Sequence, residues 1–240
     1  MSYRCLLALL LLATSATAQE WRTVDRAELA TSLDASAAKF KAYPAFEFRS
    51  TIMAYTNSTD REPAERTSTV VWKMGDGAKA EHLGVISYQN SELNVTVDPE
   101  EQVIMVAEPV DFFAPLGTNY RDIVFEAAIS IGKVTDATGV RYRARFAAGA
   151  DFEIIEFAFD KEGWLRRVEA HWGRPVALIA DNPLSAHVTP KVVLELGLPK
   201  RLAPGAVNVS PAQAVVVHNG TLQPAAAYQG YTLIDNRLHP

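Results

Sequence analysis

Beyond Pro44 the chain consists largely of short runs in which apolar and polar residues alternate, and the close spacing of these runs limits the fold more than any other feature. Alternation at a period of two indicates strands with one buried face. The connections, such as Gly75-Asp76-Gly77, hold three or four residues with turn chemistry, which suits antiparallel neighbours. The sequence therefore predicts a meander with strands at 46–55, 67–74, 79–87, 92–97 and 102–107.

A second group of strands is predicted later in the chain. Runs of the same kind occupy 140–146, 152–159 and 164–172, and the last two are joined by the hairpin turn Asp160-Lys161-Glu162-Gly163. A further strand is predicted at 187–196. Together with the first group, these strands predict one extended antiparallel sheet.

Two helices are predicted beside the sheet. Leu29, Leu33 and Phe40 follow a three- and four-residue spacing, which predicts an amphipathic helix over 24–41. A similar spacing predicts a second, short helix over 122–132 that ends at Gly132. The predicted fold class is α+β, with a curved antiparallel sheet, an incomplete β-barrel, wrapped around or capped by amphipathic helices.

Residues 1–18 have the three parts of a cleavable signal peptide. Arg4 supplies the positive charge, the apolar run 5–13 is shorter than the roughly 20 residues that span a bilayer, and Ala16-Thr17-Ala18 fits a cleavage site. We expect cleavage after Ala18 and a mature protein that is periplasmic or secreted. The single cysteine, Cys5, is lost with the signal, so packing of the core must stabilise the fold.

Composition divides the remainder into two parts. Residues 19–198 hold the predicted helices and strands and are read as one half-barrel domain. Residues 199–240 are rich in proline and alanine, which predicts an extended tail with little regular structure and a weak strand near 214–217. The formal charge of −5 without a basic cluster disfavours a nucleic-acid partner, and no segment of the mature chain has transmembrane length.

Catalytic and metal-binding patterns are weak in this sequence. Residues 128–132 have the outline of a nucleophile elbow around Ser130, but that motif needs a strand before the serine and a helix after it. The acidic residues Asp98, Glu100 and Glu101 lie in a predicted hairpin turn, where solvated carboxylates are common. We therefore expect no catalytic residue, although a hydrolase that uses Ser130 stays open as a minor alternative.

The histidines show no ligand spacing either. The chain has five of them, and none forms a pair that would face one metal ion from a single helix or strand, so we expect no metal site and no cofactor. They are His82, His171, His187, His218 and His239.

The order of elements in residues 66–109 is similar to that of a known family. A strand with Trp72 is followed by a charged hairpin and then by a run, 91–106, that contains Asp98-Pro99 and Glu101-Gln102-Val103. This stretch resembles the core of the LolA/LolB-like family of periplasmic lipoprotein carriers, and the similarity in order extends over roughly 24–196. The resemblance implies a half-open barrel with helices as a lid, no enzymatic activity, and a lipid or lipoprotein acyl chain as partner.

A curved sheet of this size, capped by helices, is expected to leave an apolar cleft on its concave face. Alternation within the strands indicates which residues would line the cleft, and each of them could equally be ordinary core. They are Phe48, Ile52, Val71, Leu93, Val95, Val103 and Met105. The main alternative to a lipid carrier or sensor is an interaction module that docks on another envelope protein without a lipid.

Overall fold

The computed structural model describes residues 20–110, 124–178 and 186–237. The predicted signal peptide lies outside these residues. Eighteen strands are present in the described part of the chain. They are β1 (Arg22–Val24), β2 (Ala45–Tyr55), β3 (Glu65–Met74), β4 (Gly77–His82), β5 (Val85–Gln89), β6 (Asn94–Asp98), β7 (Val103–Ala107), β8 (Ala128–Thr135), β9 (Gly139–Phe146), β10 (Phe152–Asp160), β11 (Leu165–Trp172), β12 (Val176–Ala177), β13 (His187–Val188), β14 (Lys191–Leu196), β15 (Lys200–Arg201), β16 (Val215–His218), β17 (Thr221–Pro224) and β18 (Thr232–Asp235).

Fourteen of these strands form one large curved sheet, as the alternation predicted. Its order is β1-β8-β9-β10-β11-β14-β2-β3-β4-β5-β6-β7-β18, with β15 paired to one end of β2. Every pairing is antiparallel except that of β18 with β7, which is parallel. Within the described residues the end strands β1 and β18 do not pair with each other, so the sheet is not closed.

The helix α1 (Arg26–Ala42) covers one face of this sheet. It begins at Asp25, whose carboxylate accepts a hydrogen bond from the backbone N–H of Ala27 at 2.8 Å. The predicted apolar stripe is confirmed, because Leu29, Leu33 and Phe40 are all buried. Among the residues the structure describes, no helix has the length and hydrophobicity that spanning a bilayer requires.

The stripe of α1 packs into the larger of two hydrophobic cores. This core holds the helix-facing side chains of β8 to β11, β14 and β2, for example Phe48, Tyr142 and Phe157. Phe40 contacts Phe48 edge to face, with ring centroids 5.1 Å apart. The space between the helix and this half of the sheet is therefore occupied by the protein's own aromatic and aliphatic side chains.

The second core lies on the opposite face of the sheet. Directly paired residues of neighbouring strands point to the same face, so the register identifies each side. One row lies on the helix-facing side and consists of Phe48, Val71, Ala80, Ser87, Thr96, Met105 and Ile234. The neighbouring row lies on the other side and consists of Glu47, Trp72, Lys79, Tyr88, Val95, Val106 and Asp235.

Residues of the C-terminal segment cover this second face. Ala214 and Val215 are buried against Tyr88, Val95 and their neighbours, and the aromatic rings of this segment pack at the edge of the cluster. The prediction of an extended tail with little regular structure is wrong, since β15 to β18 lie within it. The apolar residues between its prolines pair and pack because the sheet offers them an apolar face to bury.

One dipeptide in the C-terminal segment indicates a hairpin there. Asn219-Gly220 joins β16 to β17, and both residues have positive φ, 50° and 78°. This is the conformation of a type I′ hairpin turn, for which Asn-Gly is the preferred pair. The predicted weak strand near 214–217 is confirmed as β16. The division of the chain at residue 198 into domain and tail stays a prediction.

The helix predicted over 122–132 is wrong for its second half. Residues 124–127 are helical, but β8 begins at Ala128 and runs through the segment assigned to the helix. Ile131 and Val134 are buried in the strand. A short apolar spacing fits helix and strand alike, and here pairing with β1 on one side and β9 on the other decides the outcome.

Two local predictions change with this strand. Gly132 does not follow a helix, because it lies within β8 under the ring of Trp21, where an added Cβ would be 3.2 Å from Trp21 Cε3. Ser130 also lies within β8, opposite Arg145, rather than at a strand-to-helix turn. The geometry of a nucleophile elbow is therefore not formed at Ser130.

The strand predicted over 79–87 is two strands. A turn at Leu83 and Gly84, with φ of 50° and 84°, separates β4 from β5. Positive φ at both central residues forms a type I′ turn. Leucine rarely adopts this conformation, so the sequence carried little signal for the break.

Candidate apolar binding site

An open cavity lies where α1 ends and the sheet begins. It is a cleft of about 660 Å³ between the end of the helix, the β3–β4 turn and the segment after β15. We call it the Tyr43 cleft. Its lining residues are Ala42, Tyr43, Pro44, Ala45, Met74, Gly75, Arg201, Leu202, Pro204 and Gly205.

Backbone hydrogen bonds hold the walls of the Tyr43 cleft together. The Gly75 N–H donates to the carbonyl of Pro44 at 2.8 Å, which ties the β3–β4 turn to the end of the helix. The Leu202 N–H donates to the carbonyl of Ala45 at 3.2 Å, which ties the opposite wall to β2. Gly75 has φ of 62°, so glycine is favoured at this turn. The cleft is therefore formed by three segments that are fixed to one another.

Tyr43 forms the aromatic wall of the cleft. Its ring centroid lies 6.3 Å from that of Phe46 and 5.9 Å from that of Trp164. The guanidinium carbon of Arg201 lies 4.8 Å from the centroid of the same ring, within cation–π distance. Because core aromatics back the Tyr43 ring on one side, its position is set by packing.

The seven residues predicted to line a cleft do not come together. Leu93 and Val95 pack in the second core, under the C-terminal segment. The other five lie on the helix-facing side of the sheet or its rim, as their register shows, and Phe48 and Val71 are buried there. None of the seven lines the Tyr43 cleft. Their role in ligand contact stays a prediction.

Part of the helix-facing side is open to solvent in the described structure. Ile52 is 41% exposed, Met105 38% and Ile234 41%, although all three belong to the same face as the buried Phe48. Val103, in the row next to Met105, is half-buried. This open surface includes Ile52, Met105 and Ile234, and none of the three lines the Tyr43 cleft.

The opposite face of β9, β10, β11 and β14 is a network of charges. Glu169 is its centre: His171 Nε2 lies 2.8 Å from one carboxylate oxygen, and Arg167 donates to the other at 2.7 Å. These hydrogen bonds, with that of His171 the largest cause, lower the pKa of Glu169 to about 2. Arg167 also contacts Glu195 at 3.1 Å. The charges of this face are paired with one another, which suits a solvated surface better than a ligand site.

Asp98 and His82 make structural contacts in the described part of the chain. The Asp98 carboxylate accepts hydrogen bonds from the backbone N–H groups of Glu100 and Glu101, at 3.0 and 3.1 Å, and so stabilises the β6–β7 turn. His82 Nδ1 lies 2.8 Å from the hydroxyl of Thr69 on the next strand. In residues 20–110, 124–178 and 186–237, no group of three or more histidine, cysteine or acidic side chains is placed to hold a metal ion.

Sequence comparison gave no relative: no family model and no curated protein matches the chain. Comparison of structures gave similar proteins at low identity. A LolA superfamily protein from Nitrosomonas europaea is 8% identical with a TM-score of 0.31, over 72% of this chain and 93% of that one. A DUF1329 family protein from Desulfovibrio piger is 7% identical with a TM-score of 0.32, over 79% and 97%.

A third similar structure is a domain of an outer membrane lipoprotein-sorting protein from Vibrio parahaemolyticus. It is 9% identical with a TM-score of 0.28, over 76% of this chain and 95% of that one. The family that the sequence resembles is thus among the similar structures. Because the identities and TM-scores are this low, we assign no residue role and no ligand to this chain from these proteins.

Proposed function

We propose that this protein is a non-enzymatic, extracytoplasmic binding protein that carries or senses the acyl chains of a lipid or lipoprotein, and that it holds them in the Tyr43 cleft. The observation that carries the proposal is the cleft itself, a fixed, largely apolar cavity of about 660 Å³. Sites for small ligands are concave, mostly apolar and about 300–1,000 Å³ in volume.

The chemistry of the lining suits a hydrocarbon chain. Tyr43, Pro44, Met74, Leu202 and Pro204 offer ring and aliphatic surface. An acyl chain has no hydrogen-bonding groups to satisfy, so it gains from leaving water without needing polar partners. The main core is occupied by its own aromatic and aliphatic side chains, so the cleft is the better place for a ligand.

The setting we propose is the cell envelope. The pattern of residues 1–18 supports export, and the resemblance to periplasmic lipoprotein carriers supports the same compartment. A bound acyl chain would then be shielded from water between two membranes. The cleft is open to solvent, which allows entry and release without unfolding of the sheet.

Native mass spectrometry of the mature protein, purified from the periplasm of its own cells, tests the proposal directly. We expect copurified lipid and competitive binding of a fluorescent fatty-acid probe. The matched pair of variants is Leu202→Glu, inside the cleft, and Leu198→Glu, which is 52% exposed and outside it. A buried charge in the cleft is expected to weaken probe binding at least about ten-fold, whereas Leu198→Glu should leave it unchanged.

The second candidate function is an interaction module that docks on another envelope protein. The β16–β17 hairpin favours it, because Val217 is 70% exposed and the neighbouring Val216 is also exposed. This function would be supported if the purified protein carries no lipid, does not bind the probe and retains a stoichiometric protein partner. The same result would contradict acyl-chain binding.

A further inference from the structure

We infer that the ligand of the Tyr43 cleft is an amphiphile with an anionic headgroup, and that the Arg201 guanidinium binds this anion. The inference rests on the proposed function, since it concerns the same cavity. It adds the chemical class of the ligand: a single acyl chain that ends in a carboxylate or a phosphate ester, in place of a neutral glyceride.

Arg201 is the only charged residue among the described residues that line the cleft. Its place is set by β15, where it pairs with Phe46 of β2 and so lies on the helix-facing side of the sheet. The guanidinium stacks against Tyr43 at 4.8 Å and the residue remains exposed. A cation is thus held beside the apolar wall, where the polar end of an amphiphile would lie.

The described residues supply no carboxylate to Arg201. Other arginines of the sheet have one: Arg143 pairs with Glu156, and Arg237 pairs with Asp235. The carboxylate nearest in register, Glu47, lies on the opposite face of β2. It already accepts hydrogen bonds from Arg49 Nε at 2.9 Å and from the Trp72 indole at 3.2 Å.

A second cation flanks the same aromatic residue. Lys73 Nζ donates to the backbone carbonyl of Tyr43 at 3.3 Å and lies 6.0 Å from the centroid of Phe46. Lys73 also has no ion pair among the described residues. An acidic chain, with a formal charge of −5, therefore places two cations without carboxylate partners around one wall of an apolar cleft. Such a local field favours an anion and steers its approach.

The guanidinium suits a carboxylate or a phosphate equally well. It presents parallel N–H groups that bind two oxygens of either anion at once. With the acyl chain against Tyr43 and Leu202, the headgroup would lie at the guanidinium. A neutral headgroup would leave this cation without a counter-charge, so affinity should depend on the anion.

Displacement of a fluorescent fatty-acid probe from the full mature protein tests the inference with three ligands of equal chain length. They are oleate, oleoyl-lysophosphatidylglycerol and the neutral monoolein. We expect at least one anionic ligand to displace the probe about ten-fold or more better than monoolein, since hydrogen bonds to charged groups have this strength. Preference for oleate identifies a carboxylate, and preference for the lysophospholipid identifies a phosphodiester.

Arg201→Gln and Lys200→Gln form the matched pair of variants. Lys200 is the neighbouring exposed cation, but it pairs with Glu47 and so lies on the opposite face. Arg201→Gln should weaken binding of the anionic ligand about ten- to hundred-fold and weaken that of monoolein far less, because monoolein has no charge for the guanidinium to pair with, while Lys200→Gln should change neither. Equal affinity for anionic and neutral ligands, with no effect of Arg201→Gln, would overturn the inference and leave acyl-chain binding intact. Failure of all three ligands to displace the probe, or of the probe to bind, would overturn both.

Discussion

The hydroxyl of Ser36 accepts a hydrogen bond from the backbone N–H of Leu165 at 3.0 Å, inside the main core. Ser36 is a buried polar residue on α1, and Leu165 begins β11. The bond joins residues 129 positions apart and satisfies a backbone donor that water does not reach. It therefore fixes the helix over the sheet at a single position, which packing of apolar side chains alone does less specifically.

Ser36→Ala should lower the free energy of unfolding by about 1–3 kcal/mol, because it leaves the buried Leu165 N–H without an acceptor. Chemical denaturation followed by tryptophan fluorescence measures the change. The control is Thr31→Ala on the exposed side of α1, where the hydroxyl contacts only its own helix. A Ser36→Ala protein as stable as the wild type would show that the bond contributes nothing.

Val215→Ala tests whether the C-terminal segment is part of the folded unit. Val215 is buried in the second core, so loss of two methyl groups should cost about 2 kcal/mol of unfolding free energy. Val217→Ala, at the exposed end of the same strand, should change it by less than about 0.5 kcal/mol. Equal effects of the two substitutions would mean that the segment does not pack on the sheet in solution.

Glu169→Gln should alter the dependence of stability on pH. The carboxyl has a pKa of about 2 in the folded protein against 4.5 normally. Its contribution to the free energy of unfolding is therefore complete above pH 4.5 and is lost as the pH falls towards 2. The side chain is partly exposed, which reduces the contribution to about 1–2 kcal/mol at pH 7. The variant should be less stable than the wild type at pH 7. Its free energy of unfolding, measured as a function of pH, should decline less steeply between pH 4.5 and 2. Parallel curves for variant and wild type would contradict this account.

Met105→Glu tests whether the acyl chain binds in the Tyr43 cleft or on the sheet surface that the sequence predicted. Met105 is exposed on the helix-facing side but does not line the cleft. We therefore expect the affinity of the fatty-acid probe to stay within about two-fold of the wild-type value, as for an ordinary surface substitution. A loss of ten-fold or more would place the acyl chain on the sheet, with Met105 as a contact, as the sequence predicts.

Local pattern was sufficient to predict most elements of this fold. The stripe of Leu29, Leu33 and Phe40 gave α1, and alternation gave most strands of both meanders, although β4 and β5 were predicted as one strand. It was insufficient at Ala128 to Gly132, where five residues fit helix and strand equally. There the choice followed from pairing with β1, which is far away in sequence, and with the next strand, β9.

The candidate cleft could not be predicted in the same way. Tyr43, Met74 and Leu202 come from three separate segments, and none of them stands out in a strand pattern. Alternation says only which residues share a face of one strand. It does not say which face is covered, so Val95 seemed equivalent to Met105 although the C-terminal segment buries only Val95.

The sequence by itself determined that this chain forms an amphipathic helix and a long antiparallel sheet, because both follow from periodic contacts between residues close along the chain. Only the tertiary structure decided which faces of the sheet are buried. The helix covers one side of one half and the C-terminal segment covers the other side of the other half. The physical reason is that burial of apolar surface is not directional. Any apolar segment can therefore bury an apolar face of the sheet, and the topology of the chain determines which segment packs on which face.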